Sequence, residues 1–178
     1  MSSPEKEAIQ QGKSLQEEGD FDGAIVAFTE AIRLNPQNAQ SYASRGQAYL
    51  RKGELDKSIA DCDQAIQLNP TLADAYCTRA RCHGKNGDSD KAMADCVEAI
   101  RLNPNGAEAY SVRGRVYGQK AEFDLAIADC TEAIRLDPNS AGAYHMRAIV
   151  YKKAGEFDKG IADCTESIRL NPQNAGAF

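Results

Sequence analysis

Five prolines, Pro36, Pro70, Pro104, Pro138 and Pro172, stand 34 residues apart, and the sequence around each is nearly the same sentence repeated. A period of this length marks one supersecondary unit copied in tandem. Each copy is too small to bury its own apolar faces and gains stability only by stacking on its neighbours. Aligned on the prolines, the units run over 5–38, 39–72, 73–106, 107–140 and 141–174, and 175–178 begins a sixth. They read as a single array over 1–178.

The second unit shows how one copy is built. Over 40–52, Tyr42, Arg45, Gly46 and Tyr49 fall at helical spacing, which predicts a first helix, A. Gly53-Glu54 breaks it, and over 55–68 Leu55, Ile59, Cys62, Ala65, Ile66 and Leu68 form the stripe of a second helix, B. Asn69-Pro70 ends the pair, because the residue before proline is pushed out of the helical region and proline cannot continue the ladder. Small residues at Gly46, Ser58 and Ala65 leave room for the opposing backbone. At the N-terminus, Ser3-Pro4-Glu5 reads as a capped helix start, so the first copy begins at once.

The period, the tyrosines Tyr42, Tyr76, Tyr110 and Tyr144, and the small residues Gly46, Ala80, Gly114 and Ala148 resemble the tetratricopeptide repeat. The resemblance implies an all-α, right-handed α-solenoid of helix-turn-helix units with helices A lining a concave face. It also implies a non-catalytic scaffold that binds a peptide or protein segment in that groove. Units ending in Glu-Ala-Ile-Arg-Leu-Asn-Pro look more like those of bacterial repeat proteins. The carboxylate clamp of the eukaryotic chaperone-binding members does not carry over: its places hold Ile9, Lys13, Ser44, Asp74 and Thr78, and no shifted register does better.

Composition narrows the function. A net charge of −5, with no basic run carrying interleaved aromatics, argues against a nucleic-acid partner. No stretch approaches the roughly 20 apolar residues of a membrane span, so no membrane insertion is expected. Cys62, Cys96, Cys130 and Cys164 are one position counted four times, and stacked helices lie too far apart for them to bridge. They read as buried free thiols, which suits a cytoplasmic location. Cys77, Cys82 and His83 point round one helix and make no zinc signature, and the two histidines, His83 and His145, have no triad partners. Neither metal, cofactor nor catalysis is expected.

Where the family commonly carries leucine on helix A, units two to five have Arg45, Arg79, Arg113 and Arg147. The same four units carry Asp61, Asp95, Asp129 and Asp163 on helix B, while unit one has Gln11 and Ala27. Two positions that switch together read as structural ion pairs across the A/B interface; the alternative is a basic ligand stripe.

The groove then falls to the variable places of helix A. The candidates are Lys13 and Gln47 in the first two units, Cys77 and Arg81 in the third, Ser111 and Arg115 in the fourth, and His145, Ile149 and Lys152 in the fifth. Leu50, Gly84 and Gly118 sit in the same frame, and Cys77 is expected to be the most reactive thiol. The excess of Lys and Arg on helices A favours an acidic segment or a C-terminal carboxylate. The rival readings are end-to-end self-assembly and an interaction segment of a longer enzyme or receptor. Unit five keeps the internal pattern, so helix B over 157–170 should offer Ile161, Ile168 and Leu170 to a following helix. This predicts self-association through the C-terminal helix face near Phe178.

Overall fold

The computed structural model describes residues 3–172. Ten helices and no strand are found among them, two per sequence unit. The A helices are α1 (Pro4–Glu18), α3 (Ala39–Lys52), α5 (Ala73–Lys85), α7 (Ala107–Gln119) and α9 (Ala141–Ala154). The B helices are α2 (Phe21–Leu34), α4 (Leu55–Leu68), α6 (Ser89–Leu102), α8 (Phe123–Leu136) and α10 (Phe157–Leu170). The segment 175–178 and Phe178 lie outside the described residues.

Local chemistry sets these boundaries. Ser3 accepts a hydrogen bond from the Lys6 amide with Pro4 in the first turn, and Asp20, Asn38 and Ser140 cap α2, α3 and α9 in the same way. Each A helix is closed one 34-residue period apart by Gly19, Gly53, Gly87, Ala121 and Gly155, all at positive φ. At Gly53 the glycine amide donates to Leu50 and the Glu54 amide to Tyr49, a left-handed cap that uses carbonyls the helix leaves open. Ala121, at φ 60°, adopts this conformation with a Cβ. At the far end of each unit, Asn35, Asn69, Asp137 and Asn171 leave the helix at φ between −143° and −134°, the extended backbone that the following proline demands.

The chain divides into two compact units, Met1–Asp88 with α1 to α5 and Ser89–Phe178 with α6 to α10. Inside each, every helix packs on the next in sequence, the stacking of an α-solenoid. In the first unit α1 meets α3 and α3 meets α5; in the second α7 meets α9. Among the described residues no B helix touches another B helix. The A helices therefore crowd together on the inner side of each stack and the B helices splay on the outer side.

Close crossing depends on the small residues. A Cβ on Gly114 would stand 2.9 Å from Cys130 Sγ and 3.1 Å from the Ala126 carbonyl oxygen. In the first unit Phe28 fills the space against Gly12 and Ala48 that cysteines fill in later copies. Cys62, Cys96 and Cys130 are fully buried, whereas Cys164 is half-buried.

Candidate functional site

Each arginine on helix A is fixed by a carboxylate. Arg45 Nε and Nη2 donate to Asp61 Oδ2 and Oδ1, both at 2.8 Å, and Arg113 and Arg147 make the same fork on Asp129 and Asp163 at 2.7 and 2.8 Å. These three aspartates are buried. The hydrogen bonds donated to aspartate hold each guanidinium pKa above its ordinary value against the opposing effect of burial. Tyrosine rings flank every guanidinium, for Arg147 at 5.8 Å from Tyr144 and from Tyr151. In the first compact unit Arg79 donates through Nη1 to Asp63 at 2.5 Å, and the buried Asp95 belongs to the second.

The same arginines reach the preceding B helix. Arg45 Nη1 donates to Thr29 Oγ1 and Arg147 Nη1 to Thr131 Oγ1, both at 3.0 Å. Near the A-helix end, Lys52 meets Asp22 at 2.5 Å and Lys120 meets Asp90 at 2.8 Å. Sequence reading missed these contacts between units, although aspartate at Asp22, Asp56, Asp90, Asp124 and Asp158 in all five copies was a signal for them.

The groove candidates separate into three groups. Lys13, Gln47 and Arg81 hold one position on α1, α3 and α5; the first two are exposed and the third half-buried. Ser111 and Arg115 are half-buried on α7. His145, Ile149 and Lys152 on α9 line an open, mainly apolar cleft of about 470 Å³ whose other wall is α10. Burial lowers the His145 pKa there.

Other expectations give way. Cys77 is 6% exposed, because neighbouring A helices close over this place, so the half-buried Cys164 is the more accessible thiol. Leu50, Gly84 and Gly118 are buried, not groove-lining. A Cβ on Gly118 would lie 3.2 Å from Val150 Cγ2, which shows that the next A helix packs there. Leu170 is half-buried, whereas Phe157 and Ile161 stand 63% and 65% exposed and Ile168 is also open.

All six cysteines are free thiols. Burial pushes Cys96 and Cys130 up to about 12 and Cys62 higher still. Among the described residues no group of three His, Cys, Asp or Glu side chains is arranged to hold a metal ion, and no helix is long and apolar enough to cross a membrane.

Stacked helix pairs with an exposed, chemically varied inner face and a repeated packed interior define a protein–protein interaction scaffold. Family models of the tetratricopeptide repeat match residues 9–73, 73–105, 107–140 and 130–162, and the chain belongs to that family. Among solved structures it is similar to TTC0263, a thermophilic repeat protein of Thermus thermophilus, with a TM-score of 0.86 and 21% identity over 97% of this chain and 94% of that one. It is also similar to MamA, at a TM-score of 0.67 and 25% identity over 99% and 96% of the two chains. A third is YrrB, described as having an unusual peptide-binding site, at 0.62 and 19% over 93% and 85%. At these identities the likeness is one of fold. No curated protein matches the sequence.

Proposed function

We propose that the inner face of helices A binds an acidic peptide or protein segment and that the protein acts as a non-catalytic, cytoplasmic adaptor. The observation that carries this reading is the contact of α1 with α3 and of α3 with α5, which sets Lys13, Gln47 and Arg81 in one row. The arginines Arg45, Arg113 and Arg147 are neutralised by their aspartates, so this row supplies the positive character the ligand meets. Ser111 and Arg115 extend the same chemistry on α7. Exposed charges of this kind contribute mainly steering and specificity.

The test is binding of a fluorescent, glutamate-rich peptide to the whole chain, followed by anisotropy across a salt series. Lys13→Glu with Gln47→Glu should weaken binding several-fold and flatten its salt dependence. Both side chains are exposed, so folding is unaffected and is checked by circular dichroism. An unchanged affinity and salt slope would sink the proposal.

A further inference from the structure

The apolar cleft formed by α9 and α10 is a copy of a surface that the protein covers four times elsewhere. α10 matches α8 at all but three places, Lys159, Gly160 and Ser167, where α8 has Leu125, Ala126 and Ala133. On α8 the surface is occupied by α9. The places of Ile161 and Ile168 hold Ile127 and Ile134 in α8, both half-buried, and that of Phe157 holds the half-buried Phe123. Only on α10 are all three exposed.

The four covered copies specify what fits. Each docked A helix turns a small residue, an arginine and two more buried or half-buried side chains toward its predecessor; in α9 these are Ala143, Met146, Arg147 and Val150, and in α7 Ala109, Val112, Arg113 and Val116. The arginine reaches the hydroxyl of the B helix at Thr29 and Thr131, and a lysine four residues beyond the last apolar place reaches its aspartate at Asp22 and Asp90. α10 carries the same two polar groups, Thr165 and Asp158. Thr165 lines the cleft.

We infer that this cleft docks an amphipathic, basic helix of a partner protein. The fitting pattern is a small residue, then an apolar one at i+3, arginine at i+4, an apolar one at i+7 and lysine at i+11. The helix seats its apolar stripe on Ile161, Cys164 and Ile168, its arginine on Thr165 and its lysine on Asp158. A second copy stacked head to tail does not satisfy these demands. Its α1 would bring Glu7, Gln10, Gln11 and Ser14, all exposed and polar, to the apolar places and the arginine place, and Glu18 to Asp158. Like charges and unsatisfied polar groups on an apolar wall oppose that contact. The inference stands apart from the acidic ligand proposed for the inner face, which uses other residues and the opposite charge.

The test uses the whole chain and a labelled synthetic peptide with the sequence of residues 141–155 carrying Ala154→Lys, the α9 sequence with the lysine place filled. Saturable binding is expected, weakened about tenfold or more by Ile161→Glu, which places a charge on an exposed side chain and so leaves the fold intact. Asp158→Lys should weaken the lysine peptide a few-fold and favour the same peptide with glutamate at that place. Lys13→Glu should leave the peptide's affinity unchanged, which separates failure here from failure of the inner-face reading. The inference is overturned by absence of saturable binding, or by binding that Ile161→Glu does not weaken. A concentration-dependent dimer that Ile161→Glu abolishes would also overturn it, since a second copy would then be the occupant.

Discussion

Arg113 grips Asp129 through two parallel hydrogen bonds of 2.7 and 2.8 Å, with the carboxylate buried beneath the guanidinium and Tyr110 and Tyr117 on its flanks. The arginine side chain keeps about a fifth of its exposure while the aspartate keeps less than a tenth. The two partners therefore differ in what they lose when the other is removed.

Arg113→Leu strands a buried carboxylate and should destabilise by about 3 kcal/mol, whereas Asp129→Leu leaves a guanidinium that can turn toward water and should cost less. The double substitution replaces the pair by apolar contact and should recover much of the loss. Urea denaturation of the four proteins checks this, and additive effects would show that the two side chains are energetically independent.

The buried thiols predict a stability that falls at high pH. Burial raises Cys96 and Cys130 from the ordinary 9.0 to about 12. Above pH 9 the unfolded chain therefore loses these protons while the folded one keeps them. Their contribution is complete below pH 9 and declines as pH rises from 9 to about 12, by about 1.4 kcal/mol per pH unit for each thiol. The Cys96→Ala, Cys130→Ala protein should start less stable, because two small cavities are opened, but show a shallower decline over this window. Parallel decline in both proteins would refute the assignment.

How far the sequence could be read follows from what repetition makes visible. Helix B of the second unit begins at Leu55 and ends at Leu68, where the stripe and the Asn-Pro signal place it, because glycine and proline act through the backbone and need no partner. The joint change of Arg and Asp between copies was equally legible, since it recurs at fixed spacing. Cys77 was not. It shares its helix face with the exposed Gln47 and the half-buried Arg81, but its burial depends on how closely adjacent A helices approach, a distance that no single helix encodes. Leu50 and Gly118 escaped for the same reason, because variation at a place can reflect mutual fitting of neighbours as well as freedom from packing.

Thiol reactivity follows this burial and not the sequence position. With a water-soluble disulfide reagent at neutral pH, Cys164 should react first, and Cys62, Cys96 and Cys130 only as the protein opens. Cys77 should lag behind Cys164. Mass spectrometry of partially modified protein reads the order directly, and early labelling of Cys77 would contradict the packing of α5.

Ala121 occupies the place where the other four copies have glycine, and its φ of 60° is the left-handed conformation that ends the preceding A helix. The cap is made all the same, with the Glu122 amide donating to the Tyr117 carbonyl oxygen at 3.0 Å, so the hydrogen bonding demanded there overrides the steric cost of the Cβ. Relief of that cost should outweigh the greater freedom glycine brings to the unfolded chain. Ala121→Gly is expected to stabilise the protein by about 0.5–1 kcal/mol, and Gly53→Ala, which imposes the same strain on α3, to destabilise it by a similar amount. No side chain lies within 4 Å of a Cβ placed on Gly53, so backbone conformation alone separates the two substitutions. Thermal denaturation of both variants beside the parent checks the pair, and a destabilised Ala121→Gly would show that the alanine methyl contributes packing worth more than the strain it causes.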